Sequence, residues 1–146
     1  MADRRAEASW EGTLTEGRGI VELASSGAAS LPVTWASRVE TPEGRTSPEE
    51  LIAAAHASCF SMALSHGLTG AGTPPERLQV AATVSIDPKE GGGFHITRSR
   101  IEVRGVVPGI DQAAFDEAAQ AAGEGCPVSG ALKGNIDIEV SATLQA

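Results

Sequence analysis

The stretch Ser47-Pro48-Glu49-Glu50-Leu51-Ile52-Ala53-Ala54-Ala55-His56-Ala57-Ser58-Cys59-Phe60 constrains this chain more than any other. Ser47 is a natural helix N-cap, Pro48 fits the first helical position, and Glu50 lies three residues after Ser47, as in a capping box. The pattern predicts a helix from Ser47 to about Leu68, closed by Gly67, Gly70 and Gly72. From Leu51 to Leu64 that helix is apolar nearly all round. Such a helix must be buried, against a sheet or against another copy of itself.

The other elements fall around it. Arg18–Leu23 and Leu31–Trp35 are short and β-prone, and Ala6–Leu14, with Trp10, is a further candidate strand. Thr41 to Thr46 reads as a turn. Leu78–Ile86 and Phe94–Val107 form a predicted hairpin with a tip at Asp87 to Gly93. A second helix is expected over Ile110–Ala122, with Asp111 at its start and Gly123-Glu124-Gly125 at its end. Cys126-Pro127 opens a short helical segment to about Leu132, and Ile136–Leu144 alternates as a final strand. The order of strands, helix, hairpin, helix and strand makes the fold α+β with mainly antiparallel sheet. Residues 1–146 read as a single domain.

Composition narrows the function. Of the residues 41% are hydrophobic and 3% aromatic, with no Tyr, so the core is built from Ala, Val, Ile and Leu. A formal net charge of −8 disfavours nucleic acid and anionic membrane surfaces as partners. Arg4-Arg5 is followed by no apolar run, so no secretory signal is expected, and no segment approaches the length of a membrane span. The expected location is cytoplasmic. Two cysteines in such a compartment are seldom a structural staple.

Those cysteines are Cys59, deep in the apolar helix, and Cys126 in Gly-Glu-Gly-Cys-Pro-Val-Ser. They are either unrelated packing residues or a redox pair assembled by the fold. Neither belongs to a Cys-x-x-Cys motif. Cys126 precedes Pro127 at a helix start, where backbone N–H groups favour a thiolate, so it reads as the more acidic thiol. Glu50 is occupied by the capping box and Glu49 is not. Ten residues of helix separate Glu49 from Cys59 by ~15 Å, so a long side chain from elsewhere must link them, and an arginine fits best. Arg38 and Arg18 both precede the helix, and Arg38 is the better placed. His56, one turn before Cys59, reads as a core or interface residue or as a group that polarises the thiol. Two cysteines and one nearby histidine are a weak metal set.

At this point the residues suggest a family. Ser47 to Ser65 closely resembles the signature of the osmotically induced protein C (OsmC) branch of the OsmC/Ohr hydroperoxide reductases. Cys126-Pro127-Val128-Ser129 resembles that family's second cysteine motif. Trp10-Glu11-Gly12, Ser37-Arg38-Val39-Glu40 and Val107-Pro108-Gly109-Ile110-Asp111 match in order along the chain. The resemblance implies an OsmC-like fold with a long buried central helix, in an intertwined homodimer. It implies a thiol peroxidase for organic hydroperoxides in oxidative or osmotic stress defence, with no organic or metal cofactor. Cys59 matches the peroxidatic cysteine and Cys126 the resolving one. Arg38 matches the arginine that holds the first thiolate, and Glu49 the acid that orients it, while Arg18 lies where the Ohr branch carries its arginine. A dithiol, lipoyl-type by analogy with that branch, is the implied reductant. The alternative on the same scaffold is a non-catalytic redox sensor or ligand-binding dimer.

Overall fold

A computed structural model describes residues 1–146. The chain divides into two compact units, Met1–Leu51 and Ile52–Ala146. In the first, β1 (Glu7–Glu11), β2 (Arg18–Glu22) and β3 (Ser30–Val33) form an antiparallel sheet in that order. Ile20 of β2 pairs with Ser9 and Pro32, and every residue of β1 is exposed.

The strand expected to reach Trp35 stops at Val33, and a short helix α1 (Trp35–Val39) follows. Its start is a capping box missed in the sequence. Thr34 Oγ1 accepts from Ser37 N at 3.1 Å, and Ser37 Oγ accepts from Thr34 N at 3.0 Å. The β-prone composition of Leu31–Trp35 concealed this N-cap.

Helix α2 (Pro48–Gly70) begins as predicted. Ser47 Oγ accepts from Glu50 N at 3.1 Å. The second arm of the expected capping box is replaced, since the Glu50 carboxylate accepts from Thr46 Oγ1 at 2.7 Å. The expectation that no segment approaches a membrane span needs correction. At 23 residues and a mean hydropathy of 1.3, α2 is long and apolar enough to cross a bilayer by length and composition. It instead lends one row of side chains to a protein core.

That core lies in the second unit. Phe60, Leu64 and Leu68 of α2 share one buried cluster with Ile101 and Val103 of β5 (Phe94–Val106) and Phe115, Ala119 and Ala122 of α3 (Gln112–Gly125). The sheet runs β4 (Arg77–Pro88), β5, β6 (Asp137–Gln145). The β4–β5 hairpin is antiparallel, whereas β6 pairs with β5 in parallel, the crossover running through α3 and α4 (Pro127–Leu132). Alternate residues of β4, β5 and β6 turn inward, the amphipathic pattern that a sheet covered on one face requires.

Two glycines fit the helices to this sheet. A Cβ on Gly105 would lie 2.5 Å from the Phe115 ring, so the strand leaves room for that aromatic. Gly123, read from sequence as part of a helix end, lies within α3, which continues to Gly125. What ends α3 is Pro127. It drives Cys126 into extended backbone, at φ −72° and ψ 120°, so Cys126 caps α3 at its C-terminus and opens α4 at its N-terminus.

Candidate active site

Two constellations contain the residues singled out in the sequence. The first lies in the N-terminal unit. Arg38, in the last turn of α1, grips Glu49, in the first turn of α2, as a fork. Nε reaches Oε1 at 3.1 Å and Oε2 at 3.3 Å, and Nη2 reaches Oε1 at 2.9 Å. The Glu49 side chain is only 7% exposed and Arg38 is 34% exposed. The carboxylate therefore fixes the guanidinium while leaving part of it free to act elsewhere. Arg38 also borders an apolar cavity of about 410 Å³, lined by Trp10, Leu14, Trp35 and Leu51 among others. Arg18 stands apart from this pair, as an exposed residue 3.5 Å from Glu11.

The second constellation lies in the C-terminal unit and brings the two cysteines together. Both are free thiols, Cys59 half-buried and Cys126 at 1% exposure, and they lie close enough for each to shift the other's ionisation. Burial pushes the Cys59 thiol up, an effect that the Val128 N–H opposes and the neighbouring Cys126 reinforces. Cys126 moves the other way. Burial opposes its ionisation, but the Ser129 N–H, the Cys59 thiol, the Ser129 hydroxyl and the Val128 N–H together hold it below its ordinary value. This direction is the one that the helix-start argument for the more acidic thiol expects. Cys59 needs a further charge partner to become a ready thiolate.

Cys59 opens onto a cavity of about 850 Å³ whose walls include Met62, Ala63, Ile110, Ala118 and Pro127. Such a site accommodates an organic chain better than a small hydrophilic solute.

His56, one helical turn before Cys59 on α2, is fully buried. Its Nδ1 meets Ser99 Oγ at 2.6 Å and its Nε2 meets Ser129 Oγ at 2.7 Å. Burial lowers its pKa, so the ring is neutral. The two serines escaped the sequence reading. Ser99 had one signal, a polar residue on the inward row that continues through Ile101 and Val103. Ser129 had another, its place three residues after a helix-opening cysteine. No cluster of three or more His, Cys, Asp or Glu side chains offers a metal site.

Comparison with known proteins agrees with this arrangement. Residues 41–141 match the family described as OsmC-like protein. The peroxiredoxin OsmC of Escherichia coli K12 is 43% identical over 136 residues, 93% of this chain and 94% of that one. The organic hydroperoxide resistance protein of Xanthomonas axonopodis pv. citri is 37% identical over 101 residues, 66% of each chain. Among solved structures, the organic hydroperoxide resistance protein OhrB of Bacillus subtilis superposes with a TM-score of 0.76 at 26% identity, covering 95% of this chain and 98% of that one. An α+β chain with two free cysteines brought together from a long apolar helix and a helix junction defines a two-thiol redox scaffold. The chain belongs to the OsmC family.

Proposed function

We propose that this protein is a thiol peroxidase that reduces organic hydroperoxides to alcohols in peroxide defence. The observation that carries the reading is the neighbouring pair of free thiols, of which Cys59 opens onto an apolar cavity. The names of its relatives, a peroxiredoxin and organic hydroperoxide resistance proteins, support it. In the first step the Cys59 thiolate attacks the distal peroxide oxygen. The O–O bond breaks, the alkoxide takes a proton and leaves as the alcohol, and Cys59 becomes a sulfenic acid. In the second step Cys126 attacks the Cys59 sulfur, its own proton departing with the hydroxyl as water, and a disulfide forms. An external dithiol then reduces that disulfide by exchange, returning both thiols.

Arg38 is assigned as the charge partner that offsets the burial of Cys59, with Glu49 holding its guanidinium in place. A homodimer is the assembly that suits the uncovered apolar side of α2, on which Met62 is 66% exposed, and the cytoplasm is the compartment that suits two thiols kept reduced between turnovers.

Steady-state consumption of cumene hydroperoxide with a dithiol reductant tests the assignment. Cys59→Ser abolishes turnover. Arg38→Lys, which keeps the charge but loses the fork, lowers kcat/KM at least about tenfold. A Cys59→Ser protein with full activity would overturn the mechanism. Disulfide formation in the parent without multiple turnovers would instead mark a redox sensor.

A further inference from the structure

The mechanism leaves a buried imidazole and two serines without a role, and counting their protons gives them one. A neutral imidazole carries one N–H and one acceptor nitrogen. The Ser99 hydroxyl, fully buried, makes a single hydrogen bond, to His56 Nδ1. If Nδ1 carried the proton, the Ser99 hydroxyl hydrogen would be buried without an acceptor, which is costly. The satisfied arrangement has Ser99 donating to Nδ1 and Nε2–H donating to Ser129 Oγ. The Ser129 hydroxyl hydrogen must then point away from the ring. Cys126 Sγ is the acceptor at hand, since Ser129 follows Cys126 by three residues in the short helix α4 and its hydroxyl is among the groups that favour the Cys126 thiolate.

We infer that His56 and Ser129 are positioning residues for the second chemical step, the imidazole aiming the Ser129 hydroxyl at Cys126 Sγ so that this sulfur is held, and its charge stabilised, for attack on the Cys59 sulfenic acid. The inference rests on the peroxidase reading only for the identity of that step. Three elements converge on it, α2 through His56, β5 through Ser99 and α4 through Ser129, so the resolving sulfur is oriented by the core rather than by a loop. The titratable group that acts on Cys126 is Cys59, and His56 reaches it only through Ser129.

Two measurements separate the relay from the peroxidase reading. In the first, the thiolate absorbance of Cys126 is titrated against pH in a Cys59→Ser background, with no peroxide present. Adding Ser129→Ala moves the midpoint upward, whereas Ser129→Thr, which keeps the hydroxyl, does not. In the second, the otherwise unmodified protein receives one equivalent of cumene hydroperoxide, and sulfenic acid and disulfide are followed by dimedone trapping and mass spectrometry. Ser129→Ala slows disulfide formation about tenfold, the worth of one hydrogen bond to a charged group, and Cys59 sulfenic acid accumulates and goes on to sulfinic acid. His56→Leu behaves likewise, and His56→Gln, which retains an N–H donor, recovers part of the rate. An unmoved Cys126 midpoint, or a disulfide that forms as fast in Ser129→Ala as in the parent, overturns the relay. A parent protein that forms neither sulfenic acid nor disulfide sinks the peroxidase reading instead, and the absorbance titration by itself then decides for or against the relay.

Discussion

His56 occupies a position where a charge would be expensive. Its ring is fully buried between two hydroxyls and in contact with no carboxylate that could balance a proton. In the unfolded chain the imidazole takes up a proton near its ordinary value of 6.5, and in the fold only at lower pH. Stability is therefore untouched above that pH. It falls as pH drops through the window below it, by at most about 1.4 kcal/mol per pH unit, until the folded imidazole also titrates. Urea midpoints measured across this range should decline for the parent and decline less for His56→Gln, and parallel slopes would contradict the account. The residue was visible in the sequence as a histidine one turn before Cys59, with core and catalytic roles both open. Its partners, 43 and 73 residues away, were not, because only the tertiary fold creates them.

At the level of elements, the sequence disclosed most where local chemistry decides. The Ser47 cap, the hairpin over β4 and β5 and the proline-driven break at Cys126 are all short-range. It misled where packing decides. Gly123 looked like a stop signal but is a helical residue, and a Cβ there would meet Val140 Cγ2 at an ordinary 3.4 Å. Gly105 looked like any strand residue but faces the Phe115 ring, where a Cβ would fall 2.5 Å from Cζ. The two glycines should respond oppositely to alanine. Gly123→Ala gains helix propensity and stabilises by up to about 1 kcal/mol. Gly105→Ala displaces the ring and costs about 1–3 kcal/mol. Thermal unfolding of the two variants reads both signs. The parallel pairing of β6 with β5 was likewise hidden, since alternation shows which face is buried but not the direction of the neighbouring strand.

For the molecule as a whole, the N-terminal unit offers few apolar residues for a core, and Ile20 on β2 and Trp10 on β1 are 46% and 42% exposed. Helix α2 adds Ala54, Ala55 and Met62 to the uncovered apolar surface. The all-round apolar pattern that first marked this helix is thus only half accounted for within one chain. A second copy is the expected cover, as the sequence resemblance implied. Light scattering should give the mass of a dimer, and Met62→Glu should shift the protein toward monomer while leaving the Ser47-capped helix intact by circular dichroism. A monomeric parent would refute it.

The helix junction in the C-terminal unit also bears on heat resistance. Cys126 is at once the last cap of α3 and the first of α4, and Cys59 lies midway along α2. A disulfide between them closes a loop over nearly half the chain and ties three helices at one point. Removing that much freedom from the unfolded ensemble is worth about 4 kcal/mol. The peroxide-oxidised form should therefore be the more heat-resistant one, so that each catalytic cycle passes through its most rigid state just before reductant is needed. The reductant must work against that added rigidity, and the melting temperature becomes a gauge of how much of the protein is waiting to be reduced.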